Sequence, residues 1–315
     1  MIVGIDVAKA TFDAAFEVEG RLEHRQFEYT PEGMSALLAQ TPKDAHYVME
    51  ATGVYHARLA LFLHEAKRRV TVVNPLIIKR FAQMQLARVK SDKADAKLVR
   101  QYALTHALTV WAPTPTAILE LTQAHRWLDD LIGERTRLQN REEAHLHQGN
   151  PSAFVQAQMA ASFTHLNAQI KACERHLEAL VQQFFPKLYE HLCSIPSIGP
   201  KTAIELIIAP DGFRRFQSIK ALAAFVGLSP TTYRSGTSIK GKGTIAKFGQ
   251  ARLRQLLYLC SWTAKRCNPA CRVLHARLHH AGKPPKVINI AIAHKLLRQA
   301  FAVAMSDCAF SPERG

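Results

Sequence analysis

Four acidic residues stand where a carboxylate can act chemically. Asp6 closes the apolar run "IVGID", and Glu50 closes "HYVMEATG", so both side chains emerge at the ends of expected strands. On one sheet, two such strands can bring their carboxylates together, where like charges repel unless a cation lies between them. Magnesium meets that need, being a hard ion held by a few carboxylate oxygens together with water and substrate phosphate. Asp92 and Asp95, in "KSDKADAK", are three residues apart and share one face of a helical turn. Each also has a plainer reading: Asp92 could cap its helix, and Asp6 or Glu50 alone could be a strand-end carboxylate.

The other candidate is a serine. "TTYRSGTSIKGKG", residues 231–243, reads as a basic loop punctuated by Gly236, Gly241 and Gly243, with Ser235 between Arg234 and the lysines Lys240 and Lys242. A serine hydroxyl is a weak nucleophile, so attack on a phosphodiester requires its deprotonation and neutralisation of charge in the transition state. Metal ions could supply both, Arg234, Lys240 and Lys242 could clamp phosphate, and the glycines let backbone approach DNA closely. By composition alone Ser235 is equally a turn residue, and Thr237 and Ser238 are local rivals.

The elements that must position these groups fall into a pattern. "IVGIDVAKATFDAAFEVEGRLEHRQFEY" alternates like two or three antiparallel strands; "PEGMSALLAQ" then reads as a helix, "HYVMEA" as a strand, "YHARLALFLHEA" as a helix and "RVTVVNP" as a strand. A meander followed by strands alternating with helices predicts a mixed α/β sheet of ribonuclease H type. Residues 116–148 and 153–184 predict two long helices joined at "QGNPS", an antiparallel hairpin or coiled coil. "PKLYEHLCSIPSIGPKTAIELI" predicts a helix, a turn at Gly199 and a second helix, like a helix-hairpin-helix unit whose turn amides, with Lys201 beside them, bind DNA phosphate. Ser197 stands where that turn expects its first glycine. The predicted divisions are 1–115, 116–185 and 186–315.

Charge separates the two ends of the chain. The net charge is +16, yet residues 1–189 carry 22 Lys/Arg against 20 Asp/Glu, while residues 190–315 carry 19 against 5. Such asymmetry implies a polyanionic partner, nucleic acid above all. "MIVGID" leaves no room for a signal peptide, and no apolar run reaches the roughly 18 residues that span a bilayer. The six cysteines fit free thiols in a reducing cytoplasm. Cys267, Cys271, His275 and His279 recur every fourth residue, but Pro269 interrupts their helix and ligands strung along one helix cannot close tetrahedrally on zinc.

Strand, strand, helix is the order in which nucleases of ribonuclease H and RuvC type present four carboxylates to two metal ions. "GIDVAK", "MEATGVYH", "VNP", "VKSDKADAKL", "SIPSIGPKTA", "AAFVGLSPTTYRSGTSIKGKG" and "LRQLLY" occur in the order and spacing of the DEDD-type transposases of the insertion sequence 110 family, which the chain resembles along nearly its whole length. The resemblance implies a RuvC-like domain with Asp6, Glu50, Asp92 and Asp95 as the acidic set holding two magnesium ions. It implies a mainly α-helical transposase domain with Ser235 as nucleophile, joined covalently to DNA. It implies composite sites formed between subunits of a dimer or tetramer, and a structured bridge RNA that pairs with donor and target DNA in a bacterial cytoplasm, on the nucleoid. Ser197 and Thr231-Thr232 depart from the family pattern and bear on DNA contact. A RuvC-like junction-resolving nuclease, or a non-catalytic nucleic-acid-binding protein, are the competing readings.

Overall fold

The computed structural model describes residues 1–86, 92–231, 234–235, 239–240, 244–245 and 249–314; the side chains at 92, 230–231, 234–235, 239–240, 244 and 314 are not described. The chain divides into two compact units, Met1–Pro113 and Thr114–Gly315.

The first unit is built on a five-stranded mixed sheet in the order β3-β2-β1-β4-β5. Strands β1 (Ile2–Val7), β2 (Thr11–Val18) and β3 (Arg21–Glu28) form an antiparallel meander turned by Glu19-Gly20, both at positive φ. Strands β4 (His46–Glu50) and β5 (Arg69–Val73) add in parallel beyond β1. Parallel addition needs crossovers, supplied by helices α1 (Pro31–Ala39) and α2 (Tyr55–Glu65).

Alternation along the strands gives the sheet two different faces. Val3, Ile5 and Val7 of β1, with Phe12, Ala14 and Phe16 of β2 and Tyr47 and Met49 of β4, pack with Met34 and Leu37 of α1 and Leu59, Ala60 and Leu63 of α2. The opposite face takes helices α3 (Pro75–Met84) and α4 (Asp92–Thr105), where Val48, Val73, Ile78, Val99 and Ala103 make a smaller core. Asn74 caps α3, its side chain accepting from Leu76 N at 2.9 Å.

Helix α4 lies directly on β1 because the strand offers no side chain there. A Cβ placed on Gly4 would stand 2.4 Å from both Ala96 O and Arg100 N, so no other residue fits. Arg100 fixes the direction: its Nε donates to Ile2 O at 3.3 Å and its Nη2 pairs with Glu17 at 2.9 Å. With the backbone at 96 and 100 against Gly4 and the Arg100 side chain reaching the start of β1, α4 runs antiparallel to the strand.

The second unit is helical. Helices α5 (Thr116–Leu146) and α6 (Ala153–Phe184) form a long antiparallel hairpin, each about 46 Å long at 1.5 Å per residue. Only its basal half is buried, through Ile118, Leu121, Leu128 and Leu131 on α5 and Ile170, Leu177, Leu180 and Val181 on α6. Helices α7 (Pro186–Cys193), α8 (Pro200–Ile208), α9 (Ile219–Val226), α10 (Ala251–Cys267), α11 (Pro269–His280) and α12 (Pro285–Ser306) enclose one core around that base. Asn268 ends α10 and caps α11, accepting from Cys271 N at 3.2 Å, so Cys267 lies on a different helix from Cys271, His275 and His279.

Among the described helices, α12 alone has the length and mean hydropathy to cross a membrane, and half of that window is buried inside the unit. A search for unbroken apolar runs passes over it because Lys286, His294, Lys295 and Arg298 interrupt the run without lowering its mean hydropathy far. Its packing is that of a core helix, with Ile288, Ile292, Leu296, Leu297 and Ala300 buried.

Gly4→Ala forces backbone against backbone at α4. The expected loss of unfolding free energy is about 1–3 kcal/mol, measured by denaturant titration.

Candidate active site

The register of β1 and β4 pairs Gly4 with Val48 and Ile5 with Met49. Continued by one residue, it would set Asp6 beside Glu50, one strand spacing of about 4.8 Å apart. Both point to the α4 face, sharing it with Gly4 and Val48 by period-two alternation. Because α4 runs antiparallel to β1, its first turn, carrying Asp92 and Asp95, lies at this same end of the sheet. Backbone topology thus sets toward one end of the sheet positions that are up to 89 residues apart in sequence. Asp6, Glu50 and Asp95 are each partly exposed, and none is without a polar partner. The Asp92 side chain lies outside the described residues.

A further carboxylate borders the set. Asp13 on β2 pairs directly with Asp6 and shares its face, yet is 2 % exposed. His24 Nε2 lies 2.5 Å from its Oδ1, and Gln26 Nε2 donates to its Oδ2 at 3.2 Å, so β3 satisfies it. Sequence reasoning passed over Asp13 because "TFDAAF" reads as strand interior; its position opposite Asp6 in the hairpin register was the available signal.

All these donors are carboxylate oxygens, the type that suits magnesium and not a soft metal. Among the described residues, no group of three or more His, Cys, Asp or Glu is close enough to hold a metal ion. Asp6 and Glu50 form an adjacent pair, and closing the set depends on the first turn of α4.

Ser235 lies on a two-tier ribbon, where the sequence suggested a solvated loop. Strands β6 (Pro230–Thr231) and β9 (Thr244–Ile245) pair at its base; β7 (Arg234–Ser235) and β8 (Ile239–Lys240) pair beyond them. Arg234 is thereby set opposite Lys240, and Ser235 opposite Ile239. Lys242, with Thr237, Ser238 and the glycines 236, 241 and 243, lies outside the described residues.

The mouth of the ribbon is closed by backbone. Helix α9 ends at Gly227 with φ +80, and Gln250 N donates to Phe225 O at 3.0 Å. Gly249 has φ +97, and a Cβ there would stand 2.3 Å from Phe225 O. Arg254 reinforces the junction, donating from Nη1 to Val226 O at 2.9 Å. A polar cluster, buried at His125 and Glu205 and exposed at Arg252, then holds α10: Arg252 pairs with Asp129 on α5 at 2.7 Å, and His125 Nδ1 lies 3.5 Å from Glu205 on α8. Burial pushes the His125 pKa down and the Glu205 pKa up, so both favour their neutral forms. The cluster ties the base of the hairpin to the helix that follows the ribbon.

Gly199 caps α8 from an extended conformation, and both Thr202 N and Ala203 N donate to its carbonyl at 3.0 Å. Lys201 reaches solvent but pairs with Glu174 on α6 at 2.9 Å. Ser197, in the same turn, has φ +85, and its Oγ is buried with no hydrogen-bond partner among the described residues. This conformation explains the glycine expected there: left-handed backbone costs other residues roughly 1–2 kcal/mol.

Ser197→Gly is accordingly expected to stabilise the protein by about 1 kcal/mol in denaturant unfolding, relieving strain and removing an orphaned hydroxyl. Gly249→Ala is expected to cost about 2–4 kcal/mol in denaturant unfolding by combining positive φ with a backbone clash.

Comparison with known proteins places these motifs in one family. Residues 3–151 match the transposase family model of the IS110 DEDD type, and residues 189–276 match that of transposases of the IS116/IS110/IS902 family. A pilin gene-inverting protein of Moraxella bovis is 31% identical over 98% of this chain and 97% of its own length, and its counterpart in Moraxella lacunata matches to the same extent. A transposase for insertion sequence element IS1328 of Yersinia enterocolitica is 22% identical over 98% of each chain. With transposases and DNA-inverting proteins matching it from end to end, the chain belongs to the IS110 family and is a DNA transposase/recombinase.

Proposed function

We propose that this recombinase cleaves and exchanges DNA strands through a covalent phosphoserine intermediate, with Ser235 as nucleophile and magnesium held by Asp6, Glu50, Asp92 and Asp95. What supports the reading is that the β1–β4 register and the run of α4 set Asp6, Glu50 and the acidic first turn of α4 toward one end of the sheet. The sheet order, an antiparallel meander extended by parallel strands, supports a RuvC-like assignment of the first unit.

Bound magnesium would neutralise the non-bridging oxygens of the scissile phosphate and lower the pKa of an attacking hydroxyl. This chain's residues would supply the rest. Ser235 Oγ gives up its proton and forms a bond to phosphorus; the bond from phosphorus to one sugar oxygen breaks, and that oxygen takes a proton. Arg234 and Lys240, opposite one another on β7 and β8, would hold the phosphate and offset charge in the transition state. One phosphodiester is exchanged for another, so a second strand's hydroxyl can reverse the step and join to a new partner. Inversion of a DNA segment, named in the Moraxella relatives, is a rejoining of this kind.

The second unit supplies the basic contacts. Gly199 and Lys201 at the α7–α8 turn are proposed to contact DNA phosphate, with Lys201 exchanging Glu174 for the backbone. The hairpin's distal half holds no fully buried residue, and exposes Leu146 and Phe154 at its tip, which supports a homodimeric or tetrameric assembly through α5 and α6. A structured bridge RNA is proposed to choose the DNA sites, so the protein's own contacts need not read sequence.

Ser235→Ala with labelled donor DNA is expected to abolish the protein–DNA adduct and strand exchange, by at least about a thousandfold, while DNA binding persists. Asp95→Asn should abolish cleavage to the same degree. Normal recombination by Ser235→Ala would overturn the serine mechanism; cleavage without an adduct would point to hydrolysis of the junction-resolving kind.

A further inference from the structure

Helices α11 and α12 leave a cleft of about 740 Å³ between them, within the roughly 300–1,000 Å³ that small ligands fill. Its floor is aliphatic, formed by Ala270, Leu274, Ile290 and Ala291 together with Val273 and Val287, which are 69% and 51% exposed. Its rim carries Arg277, Lys286, His294, Lys295 and Arg298. Among the described residues, none of these five joins an ion pair. The lining holds no carboxylate, and no Asp or Glu occurs anywhere between Asp211 and Asp307.

An aliphatic lining bordered by the cations Arg277, Lys286, Lys295 and Arg298 suits a ligand with a flat apolar face and an anionic edge. Leu228, two residues before β6, and Ile245 of β9 complete the lining at the base of the ribbon that carries Ser235. An occupant of the cleft therefore lies alongside the ribbon. The cations among the described lining residues can meet phosphate whatever the base sequence, and DNA is the polymer on which a recombinase acts.

We infer that the α11/α12 cleft seats an unpaired nucleotide of substrate DNA, with its base on the aliphatic floor and its phosphates on Arg277, Lys286, Lys295 and Arg298. The seat holds a separated strand beside the ribbon independently of sequence, which suits an enzyme whose strands must part before they change partners. The inference rests on the chain acting on DNA as a recombinase, not on Ser235 being the nucleophile.

The test uses the full-length protein and a labelled oligodeoxythymidine of about 12 nucleotides, a length that one single-strand site covers. Val287→Glu, at an exposed position, is expected to weaken its binding by tenfold or more in fluorescence anisotropy while leaving duplex affinity and melting temperature unchanged. Lys286→Ala and Lys295→Ala, made separately, should each lower the salt dependence of binding by about one unit. Photocrosslinks from 5-bromodeoxyuridine should map to residues 270–298. Single-strand affinity within twofold of the parent in Val287→Glu, crosslinks elsewhere, tighter cleft binding by the matching uridine oligomer, or occupancy by an acidic peptide in place of DNA would each overturn it. If wild-type strand exchange and duplex binding persist in those cases, the recombinase reading stands and only the seat is lost.

Discussion

The absence of one methyl group governs the candidate active site. At Gly4 the sheet lets α4 approach until helix and strand backbones touch, and any side chain there would lift the helix away. That contact sets the depth of α4, and Arg100, reaching back to Ile2 and across to Glu17, sets its direction. Together they bring the acidic start of α4 to the strand ends where Asp6 and Glu50 stand. Close carboxylates repel, so a fold that gathers them stores a preference for cation. Asp13, one strand over, shows the alternative: it is relieved by His24 and Gln26 and stays buried.

The second unit solves a different problem, since its charge is of one sign. No carboxylate interrupts the sequence from Asp211 to Asp307, so the cations of this region find little internal compensation. What order the ribbon's mouth has comes from backbone geometry: Gly227 and Gly249 at positive φ, and the hydrogen bond between Gln250 and Phe225. The acidic residues that do reach α10 come from elsewhere, Asp129 from the hairpin and Glu205 from α8. The hairpin base is thus part of the scaffold behind the serine ribbon.

Much of the fold was legible. The alternation of "IVGIDVAKATFDAAFEVEG" reported a meander, and two long amphipathic stretches reported the α5–α6 hairpin, because both depend on local periodicity. Helix α3, the ribbon and α12 were harder to read. The two-residue strands β6–β9 are too short to show alternation, and the cations along α12 hide an apolar core helix. The strain at Ser197 was visible only as an unexpected residue in a motif until its φ of +85 gave the reason.

By itself the sequence determined the order of elements, the concentration of positive charge in its last third and, through motifs that are specific only jointly, the family. These are properties of residue type and spacing along the chain. Tertiary structure alone decided the register that aligns β1 with β4, the direction of α4, the hydrogen bonds that hold the buried Asp13, and the parting of α11 and α12 that leaves a cleft lined in part by basic residues. Each depends on strand register or helix direction, which arise from contacts between distant segments and have no period in the sequence.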